Sequence, residues 1–290
     1  MSRMHGGPDA LGVPRFDFST NSNACGPCPQ ALALVQQADA TRYPDASYTA
    51  LRQALADFHA VDVGRVLLAG SASEFIFRIS AYVAKQCGAG QGRVHVPTHA
   101  YGDYAAAAQA WGLKTTVDAE QAHLLWACEP SSPMGQAHTV WPAWLQQGTG
   151  ISDCMLVLDR AYEALRLSGT PSLNASQLEH VWQLWTPNKA LGLTGIRAAY
   201  VIAPFAAEEA VTALQARCPS WPVGAHGVAL LQAWVQPEVQ AWLAHSLHTL
   251  RTWKANQINV LQDLGWRVEP SEANFFCATP PQALFVERLR

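Results

Sequence analysis

The run from Trp185 to Arg197 has the residue types that covalent chemistry requires. It is mostly apolar and rich in glycine, and it holds a single lysine, Lys189, with Thr186 three residues before it and Arg197 eight residues after it. A lysine in apolar surroundings changes its pKa readily and forms Schiff bases. An arginine can bind a phosphate through two hydrogen bonds, and a threonine hydroxyl can add another. A reactive amine beside a phosphate site is what pyridoxal phosphate (PLP) requires, so this run predicts a PLP site.

A second group of candidates stands at the end of a β-type run. The apolar residues 156–158 lead into Asp159, and Tyr162 follows three residues later. An aspartate at a strand end can keep the pyridine nitrogen of PLP protonated, so that the ring withdraws electrons. Tyr162 could then hydrogen-bond the 3-oxygen of the ring. The alternative is that Asp159 only caps the element that follows it.

Two further segments follow predicted strands. After the first strand, a turn of small residues places Ala72 and Ser73 at the start of a helix, where exposed N–H groups could bind a phosphate. A plain helix cap by Ser71 or Ser73 is the alternative. After the second strand, Tyr101 could stack on the cofactor ring, although packing against the sheet would also explain a tyrosine there.

Short apolar runs alternate with helical patterns along the chain. Strands are predicted at 66–69, 93–96, 123–128, 155–158 and 198–203. Helices are predicted after Pro29, at about 47–60, 73–86, 102–111 and 205–217, and as one long stretch over about 224–258, followed by a strand-like 274–277 and a last helix. This alternation predicts an α/β fold whose open, mostly parallel sheet carries helices on both faces. Ligands of such sheets bind beyond the carboxyl ends of the strands, where the candidate residues fall.

The composition narrows the class of protein. Of the 290 residues, 49% are hydrophobic and 14% are charged, against about a quarter charged in an average domain, which predicts a large core. The net charge of −3 gives no electrostatic reason to expect nucleic acid or an anionic membrane as a partner. No apolar run reaches the roughly 18 residues of a membrane span, and residues 1–7 lack the apolar core of a signal peptide. Seven scattered cysteines are typical of a reduced compartment, so the expected location is cytoplasmic.

Together, these segments resemble the class I/II aminotransferase family of PLP enzymes (fold type I), and within it the threonine-phosphate decarboxylase and histidinol-phosphate aminotransferase group. The likeness runs from His5 to the last residue. Its specific parts are the run from Trp185 to Arg197, called the lysine segment below, and Arg42-Tyr43-Pro44-Asp45. The supporting parts are His5-Gly6-Gly7, the run 17–23, the Asp159/Tyr162 pair and Ala273-Asn274-Phe275. The His-Gly-Gly and Asp-Phe-Ser-x-Asn-x-Asn patterns look more like the decarboxylase. The resemblance implies a seven-stranded-type, mostly parallel sheet and a partial α/β small domain.

The resemblance also implies a role for each candidate residue. Lys189 would carry the cofactor as a Schiff base and shuttle protons. Asp159 would pair with the pyridine nitrogen, Tyr162 would bond the 3-oxygen, and Tyr101 would stack on the ring. The phosphate would be held by Thr186, Arg197 and the backbone of Ala72 and Ser73.

Other matched positions concern the substrate and a second subunit. In this family the tyrosine at the position of Tyr43 reaches the phosphate site of the neighbouring subunit, which implies a homodimer with shared active sites. His5 and Asn21 match positions near the substrate. The expected division is an arm with a small-domain segment at 1–45, a large PLP-binding domain at 46–222, and a linker helix with an incomplete small domain at 223–290.

The sequence departs from the family pattern at two places. Family members have Asn-Pro-x-Asn-Pro-x-Gly where this chain has Glu-Pro-Ser-Ser-Pro-Met-Gly, so Ser132 stands in place of the asparagine that bonds the 3-oxygen, and Glu129 has no matching role. The family also continues beyond the position of Arg290, through further elements that include the arginine for the substrate carboxylate. Either the sequence is a fragment, or the protein lacks that arginine.

Other motifs are weaker. Cys25-Gly26-Pro27-Cys28 is typical of thioredoxin-like redox sites, but no strand ends at Cys25, and the PLP family uses the same Gly-Pro-x-Pro pattern to begin a helix. The ten histidines form no His-x-x-x-His pair with a carboxylate, so no metal is expected.

The sequence therefore predicts a PLP-dependent enzyme that forms a Schiff base with a small, phosphorylated amino acid or amine. The N-terminal patterns and residues 42–45 favour decarboxylation of the threonine-phosphate type. Transamination of the histidinol-phosphate type is an alternative, and so is a PLP-binding protein with impaired turnover, which Ser132 and the missing arginine motivate.

Overall fold

The computed structural model describes residues 6–8, 10, 12–147 and 154–281. The helices in this part of the chain are α1 (Pro29–Gln36), α2 (Thr49–His59), α3 (Ala72–Cys87), α4 (Gly102–Ala110), α5 (Ala143–Gln147), α6 (Ala175–Leu178), α7 (Glu208–Gln215), α8 (Ala225–Trp234) and α9 (Pro237–Asp263). The strands are β1 (Val66–Ala69), β2 (Arg93–His95), β3 (Lys114–Thr116), β4 (Leu124–Cys128), β5 (Met155–Asp159), β6 (Trp182–Trp185), β7 (Ala199–Ile202), β8 (Arg267–Val268) and β9 (Ala278–Thr279).

Seven strands form the central sheet, in the order β1-β7-β6-β5-β4-β2-β3. All neighbours are parallel except those of β7, which is antiparallel to both β1 and β6. The register pairs Cys128 with Asp159 and Asp159 with Leu184, so the carboxyl ends of β4 and β5 lie at one level. The predicted α/β fold with a mostly parallel seven-stranded sheet is confirmed, and β8 and β9 form a separate antiparallel pair.

Helices cover both faces of the sheet. Successive residues of a strand point to opposite faces, and β1 shows this directly. Val66 and Leu68 belong to the core that is shared with α1, α2, α8 and α9. Leu67 and Ala69 belong to a second core, which is shared with α3, α4 and α7. The sheet is therefore buried on both sides, as the near-continuous apolar character of its strands predicts.

Several predicted elements need correction. The sequence pattern does not predict strands β3 and β6, because β3 is a short and largely exposed edge strand and Gln183 interrupts the apolar pattern of β6. The stretch 224–258 is not one helix but two, α8 and α9, and Pro237 begins the second one, where its missing N–H costs nothing. Residues 274–277 do not form a strand. The predicted last helix lies outside the described residues.

The N-terminal arm packs against the loop that carries Lys189, residues 186–198 between β6 and β7, which is called the lysine loop below. The Asn23 N–H donates to Lys189 O at 3.0 Å, and the Cys28 N–H donates to Leu191 O at 2.8 Å. A Cβ on Gly26 would lie 2.8 Å from the Gly192 Cα, and Gly192 has a φ of +68°. Any larger side chain at either glycine would separate the two segments. The Cys-Gly-Pro-Cys motif therefore serves a close contact between the arm and the lysine loop.

A partly buried polar cluster joins α2 to the sheet. His59 Nε2 lies 2.8 Å from the Tyr200 hydroxyl, which also accepts a hydrogen bond from Trp234 Nε1 at 3.0 Å. Burial lowers the pKa of His59 from 6.5 to about 4, and the charge of Arg160 acts in the same direction. The folded protein therefore resists the protonation of His59, which the unfolded chain accepts at higher pH.

We expect His59 to make the protein less stable in mild acid. Between pH 6.5 and about 4 the unfolded state binds the additional proton, so the free energy of unfolding should fall across this window by at most about 3 kcal/mol. Urea unfolding at a series of pH values measures the slope. His59→Asn should flatten it, whereas His245→Asn, at an exposed position of α9, should leave it unchanged.

Candidate active site

A cavity of about 700 Å³ opens at the carboxyl ends of the strands, between the N-terminal arm, the start of α3 and the lysine loop. Most of the sequence-predicted site residues line it, although they come from six separate segments of the chain. They are Asn21, Ala72, Ser73, Tyr101, Ser132, Asp159, Tyr162, Thr186, Lys189 and Arg197. Of the predicted residues that the structure describes, all except Tyr43 line this cavity.

Lys189 lies in the turn that follows β6. The Leu191 N–H donates to Pro187 O and the Leu193 N–H donates to Asn188 O, so the backbone folds tightly around the lysine. Its Nζ is 5.3 Å from the centre of the Tyr162 ring. Burial lowers the pKa of Lys189, while the nearby Asp159 carboxylate partly opposes the change. A lowered pKa increases the fraction of neutral amine, which is the nucleophilic form.

Asp159 is the last residue of β5 and is 4% exposed. Its Oδ2 accepts a hydrogen bond from the Tyr104 hydroxyl at 2.7 Å, and its Oδ1 accepts one from the Ala161 N–H at 2.9 Å. Burial raises the pKa of Asp159, whereas the Tyr104 hydroxyl, the Lys189 amine and the Ala161 N–H stabilise its ionised form. The carboxylate is therefore held in one orientation at the floor of the cavity.

The start of α3 forms part of the wall of the cavity, through Ser71, Ala72 and Ser73. Ser71 is the N-cap, because its Oγ accepts from the Glu74 N–H at 3.1 Å. The capping alternative thus holds for Ser71, whereas the Ser73 hydroxyl lies 3.1 Å from the Tyr101 hydroxyl. The N-terminal N–H groups of a helix attract phosphate.

Two further side chains of the lysine segment, Thr186 and Arg197, line the same cavity. Thr186 Oγ1 is buried and has no hydrogen-bond partner among the described residues. Arg197 lines the same cavity and is exposed. A buried hydroxyl without a partner, an arginine and a helix N-terminus together suit a phosphate group, which would satisfy all three.

Tyr162 and the loop that contains Ser132 also line the cavity. Tyr162 packs edge-on against Phe275, with ring centres 4.8 Å apart, and burial raises the pKa of its hydroxyl. Beside Phe275, Asn274 Nδ2 donates to Ser22 O at 3.0 Å. The segment at 274–275 thus holds the arm and Tyr162 together at the rim of the cavity.

Tyr43 lies outside the cavity of its own chain. Its side chain is 78% exposed, and its ring stacks on Trp221 at a centre-to-centre distance of 4.4 Å. This position leaves Tyr43 free to contact another molecule. The role of Tyr43 in a neighbouring subunit stays a prediction, and His5 lies outside the described residues.

The sequence patterns indicate no role for Tyr104 or Glu129. Tyr104 is fully buried, and its hydroxyl reaches Asp159 from α4. The one feature of the sequence that could have pointed to it is its position three residues after Tyr101, at the start of that helix. Glu129 is 2% exposed and accepts hydrogen bonds from Arg166, Ser172 and the His138 N–H. Glu129 therefore supports the loop that carries Ser132 and does not line the cavity.

The redox alternative for the two cysteines of the arm finds no support in their surroundings. Cys28 is fully buried, and burial raises the pKa of the Cys25 thiol. A reactive redox cysteine requires the opposite shift. Within the described residues, no group of three or more histidine, cysteine, aspartate or glutamate side chains could hold a metal ion.

Comparison with known proteins identifies the family of this chain. The family model described as aminotransferase class I and II matches residues 14–290. The chain belongs to this family. A histidinol-phosphate aminotransferase of Acinetobacter baumannii (strain SDF) is 27% identical over 283 residues, which cover 91% of this chain and 76% of that protein. A histidinol-phosphate aminotransferase of Jannaschia sp. (strain CCS1) is 26% identical over 289 residues, which cover 90% of this chain and 75% of that protein.

Solved structures share the fold. The histidinol-phosphate aminotransferase from Sinorhizobium meliloti, in complex with pyridoxal-5'-phosphate, aligns with a TM-score of 0.75 and 21% identity, over 90% of this chain and 74% of that one. The L-threonine-O-3-phosphate decarboxylase from Porphyromonas gingivalis aligns with a TM-score of 0.67 and 18% identity, over 89% of this chain and 81% of that one. These likenesses establish PLP fold type I.

The chain is a PLP-dependent enzyme, because PLP is the cofactor of the class I and II aminotransferase family. The residues that line the cavity fit this cofactor: an amine of lowered pKa, an oriented carboxylate, and a helix N-terminus, an arginine and a buried hydroxyl without a partner that suit a phosphate. Across the part of the chain that the structure describes, no helix has both the length and the apolar character that crossing a bilayer requires.

Proposed function

We propose that this chain uses PLP to transform a small, phosphorylated amino acid or amine. The observation that carries the proposal is the cavity itself, where Lys189, Asp159 and Arg197 converge from separate segments at the carboxyl ends of the strands. An amine, a carboxylate and an anion-binding end within one cavity match the aldehyde, the pyridine nitrogen and the phosphate of a single PLP molecule.

Each group has a defined task in this proposal. Lys189 would bond the aldehyde carbon of the cofactor, and Asp159 would hold a proton on the pyridine nitrogen. Tyr101 would lie against the ring, and Tyr162, with Ser132 in place of the usual asparagine, would hydrogen-bond the 3-oxygen. The phosphate would be bound by Thr186, Arg197 and the backbone N–H groups of Ala72 and Ser73.

The chemistry depends on proton transfer as well as on binding. When bound, PLP withdraws electrons from the carbon that bears the substrate amine and so weakens the bonds of that carbon. Lys189 Nζ can accept and return a proton there, because burial favours the neutral form of the amine. Tyr162 lines the cavity, and its ring is held from behind by the edge-on contact with Phe275.

Two reaction types compete for the same cavity. The His-Gly-Gly and Asp-Phe-Ser-x-Asn-x-Asn patterns favour decarboxylation of L-threonine O-3-phosphate, and Asn21 of the second pattern lines the cavity. The curated relatives at 26–27% identity favour transamination of histidinol phosphate. Decarboxylation is the first candidate and transamination the second.

The proposal includes a homodimer with shared active sites. Tyr43 is exposed, its ring is fixed against Trp221, and it does not reach the cavity of its own chain. These features support a role of Tyr43 at the phosphate site of a second copy.

The function is tested by spectroscopy and product analysis on one preparation. With PLP added, the protein should show the visible absorption band of a lysine-bound cofactor, and a true substrate should change that band. L-threonine O-3-phosphate should release carbon dioxide in the first candidate reaction. Histidinol phosphate with a 2-oxo acid should yield the corresponding amino acid in the second.

The outcomes separate the candidates. Carbon dioxide without a new amino acid supports the decarboxylase, and the reverse supports the aminotransferase. A visible band that neither compound changes would favour a PLP-binding protein with impaired turnover. The absence of any band would overturn the proposed assignment of the site.

A further inference from the structure

Tyr104 is a buried hydroxyl group that the proposed chemistry does not yet use. It lies in the first turn of α4, and its side chain is fully buried between the sheet and α3. Its hydroxyl donates to Asp159 Oδ2 at 2.7 Å, across a sequence separation of 55 residues. This hydrogen bond connects α4, whose first residues line the cavity, to the carboxylate at the floor of the cavity.

The ring of Tyr104 is fixed by aromatic neighbours. Trp126 of β4 stacks on it face to face, with ring centres 4.5 Å apart and an interplanar angle of 7°. Tyr101 meets it edge-on from the cavity side, at 6.0 Å. Because Trp126 is itself fully buried, the phenol cannot rotate away from Asp159 without disturbing the core. The surrounding rings therefore hold the hydroxyl in position to donate to the carboxylate.

Tyr104 can only donate in this contact. Burial raises the pKa of Tyr104 well above its usual value, and the neighbouring Asp159 carboxylate adds to the change. A phenol that stays protonated gives its hydrogen to an oxygen of Asp159 and so favours the ionised form of the carboxylate. The Ala161 N–H engages the other oxygen, at 2.9 Å. A carboxylate offers about four acceptor positions, so two remain for a ligand.

We propose that Tyr104 is a positioning residue, whose hydrogen bond holds the Asp159 carboxylate ionised and oriented so that the proton of the pair stays on the pyridine nitrogen of PLP. The proposal rests on the proposed function, since Asp159 must face that nitrogen. Without the phenol, a neutral pair becomes more favourable, in which the carboxyl group keeps the proton and the pyridine nitrogen loses it. Tyr104 itself touches neither substrate nor cofactor in this scheme.

The test compares the affinity for PLP with the affinity for an analogue that has C–H in place of the pyridine nitrogen. Equilibrium dialysis of the full chain gives both dissociation constants for the parent, Tyr104→Phe, Asp159→Asn and Tyr82→Phe. Tyr82 is a matched control, because it is a buried tyrosine of α3 whose hydroxyl accepts from Gln86 Nε2, away from the cavity. Thermal melting of each cofactor-free protein checks that it is folded.

We expect Tyr104→Phe to weaken PLP binding by about tenfold, the worth of a hydrogen bond to a charged group, and to leave the binding of the analogue unchanged. Asp159→Asn should show the same selectivity with a larger loss, and Tyr82→Phe should change neither affinity. A purely structural role of Tyr104 would lower both affinities together. The proposal would be overturned if Tyr104→Phe lost affinity for PLP and the analogue equally, or lost none, while Asp159→Asn lost affinity for PLP alone. The proposed function would then still stand. If Asp159→Asn is not selective either, Asp159 does not face the nitrogen, and the proposed site assignment fails as well.

Discussion

Replacing Lys189 with alanine is expected to abolish the visible absorption band of the PLP-loaded protein and nearly all turnover. The rate should fall by at least a factor of about 10² to 10⁴, the usual contribution of a positioned acid or base, because the proton carrier is lost together with the covalent anchor. Absorption spectra and initial rates on the better of the two candidate substrates measure both effects. Binding of PLP should persist more weakly, since the carboxylate and the phosphate site remain.

The control for this variant is Lys114→Ala, which removes an exposed lysine of the edge strand β3. Its spectrum and rate should match those of the parent. A Lys189→Ala protein that keeps both the band and the rate would show that another amine carries the cofactor. A thermal transition of Lys189→Ala equal to that of the parent would establish that the loss is chemical and does not come from unfolding.

Replacing Arg166 with methionine is expected to destabilise the folded protein more than any of the other substitutions named above. The side chain of Arg166 is 8% exposed and pairs with three carboxylates, those of Glu129, Glu163 and Glu272. Glu129 is itself buried, and removing one partner of a buried ion pair leaves an uncompensated charge. The free energy of unfolding should therefore fall by about 3–5 kcal/mol, measured by urea denaturation.

The same network holds two segments of the cavity together. Glu129 precedes the loop with Ser132, and the Glu272 N–H donates to Gly135 O beside the segment that carries Asn274. Arg267→Met is the matched control, because Arg267 pairs with Glu269 at 3.0 Å on the surface and is 76% exposed. Such pairs contribute about 0–1 kcal/mol, so the control should be nearly neutral. A loss below about 1 kcal/mol in Arg166→Met would contradict the assigned role of the network.

Much of the fold is predictable because its signals are local. The strand at Val66–Ala69 is predicted with its observed bounds, and the bounds of α3 and α4 are predicted to within one residue. Apolar periodicity and small-residue turns mark such elements without knowledge of their neighbours. Strand β6 escapes prediction because its sequence, Trp-Gln-Leu-Trp, has no clear period, and its strand conformation depends on pairing with β5 and β7.

The candidate site also has features that local sequence predicts and features that it does not. Lys189 and Arg197 are identified by their types and spacing within one segment, and Asp159 by its place at the end of an apolar run. The contact of Tyr104 with Asp159 is not visible in the sequence, because a hydrogen-bond partner 55 residues away is chosen by the packing of α4 on the sheet. Likewise, nothing local indicates that Glu129 pairs with Arg166, 37 residues later in the chain.

The sequence by itself determined the chemical groups and the alternation of strands and helices, because residue type and periodicity are properties of the covalent chain. Only the tertiary structure decided which groups meet. The arm reaches the lysine loop through Asn23, which bonds Ala190 O at a separation of 167 residues, and the two glycines at 26 and 192 permit that approach. Such contacts depend on how the helices pack on the sheet, and a polar side chain has many possible partners until packing leaves one within reach.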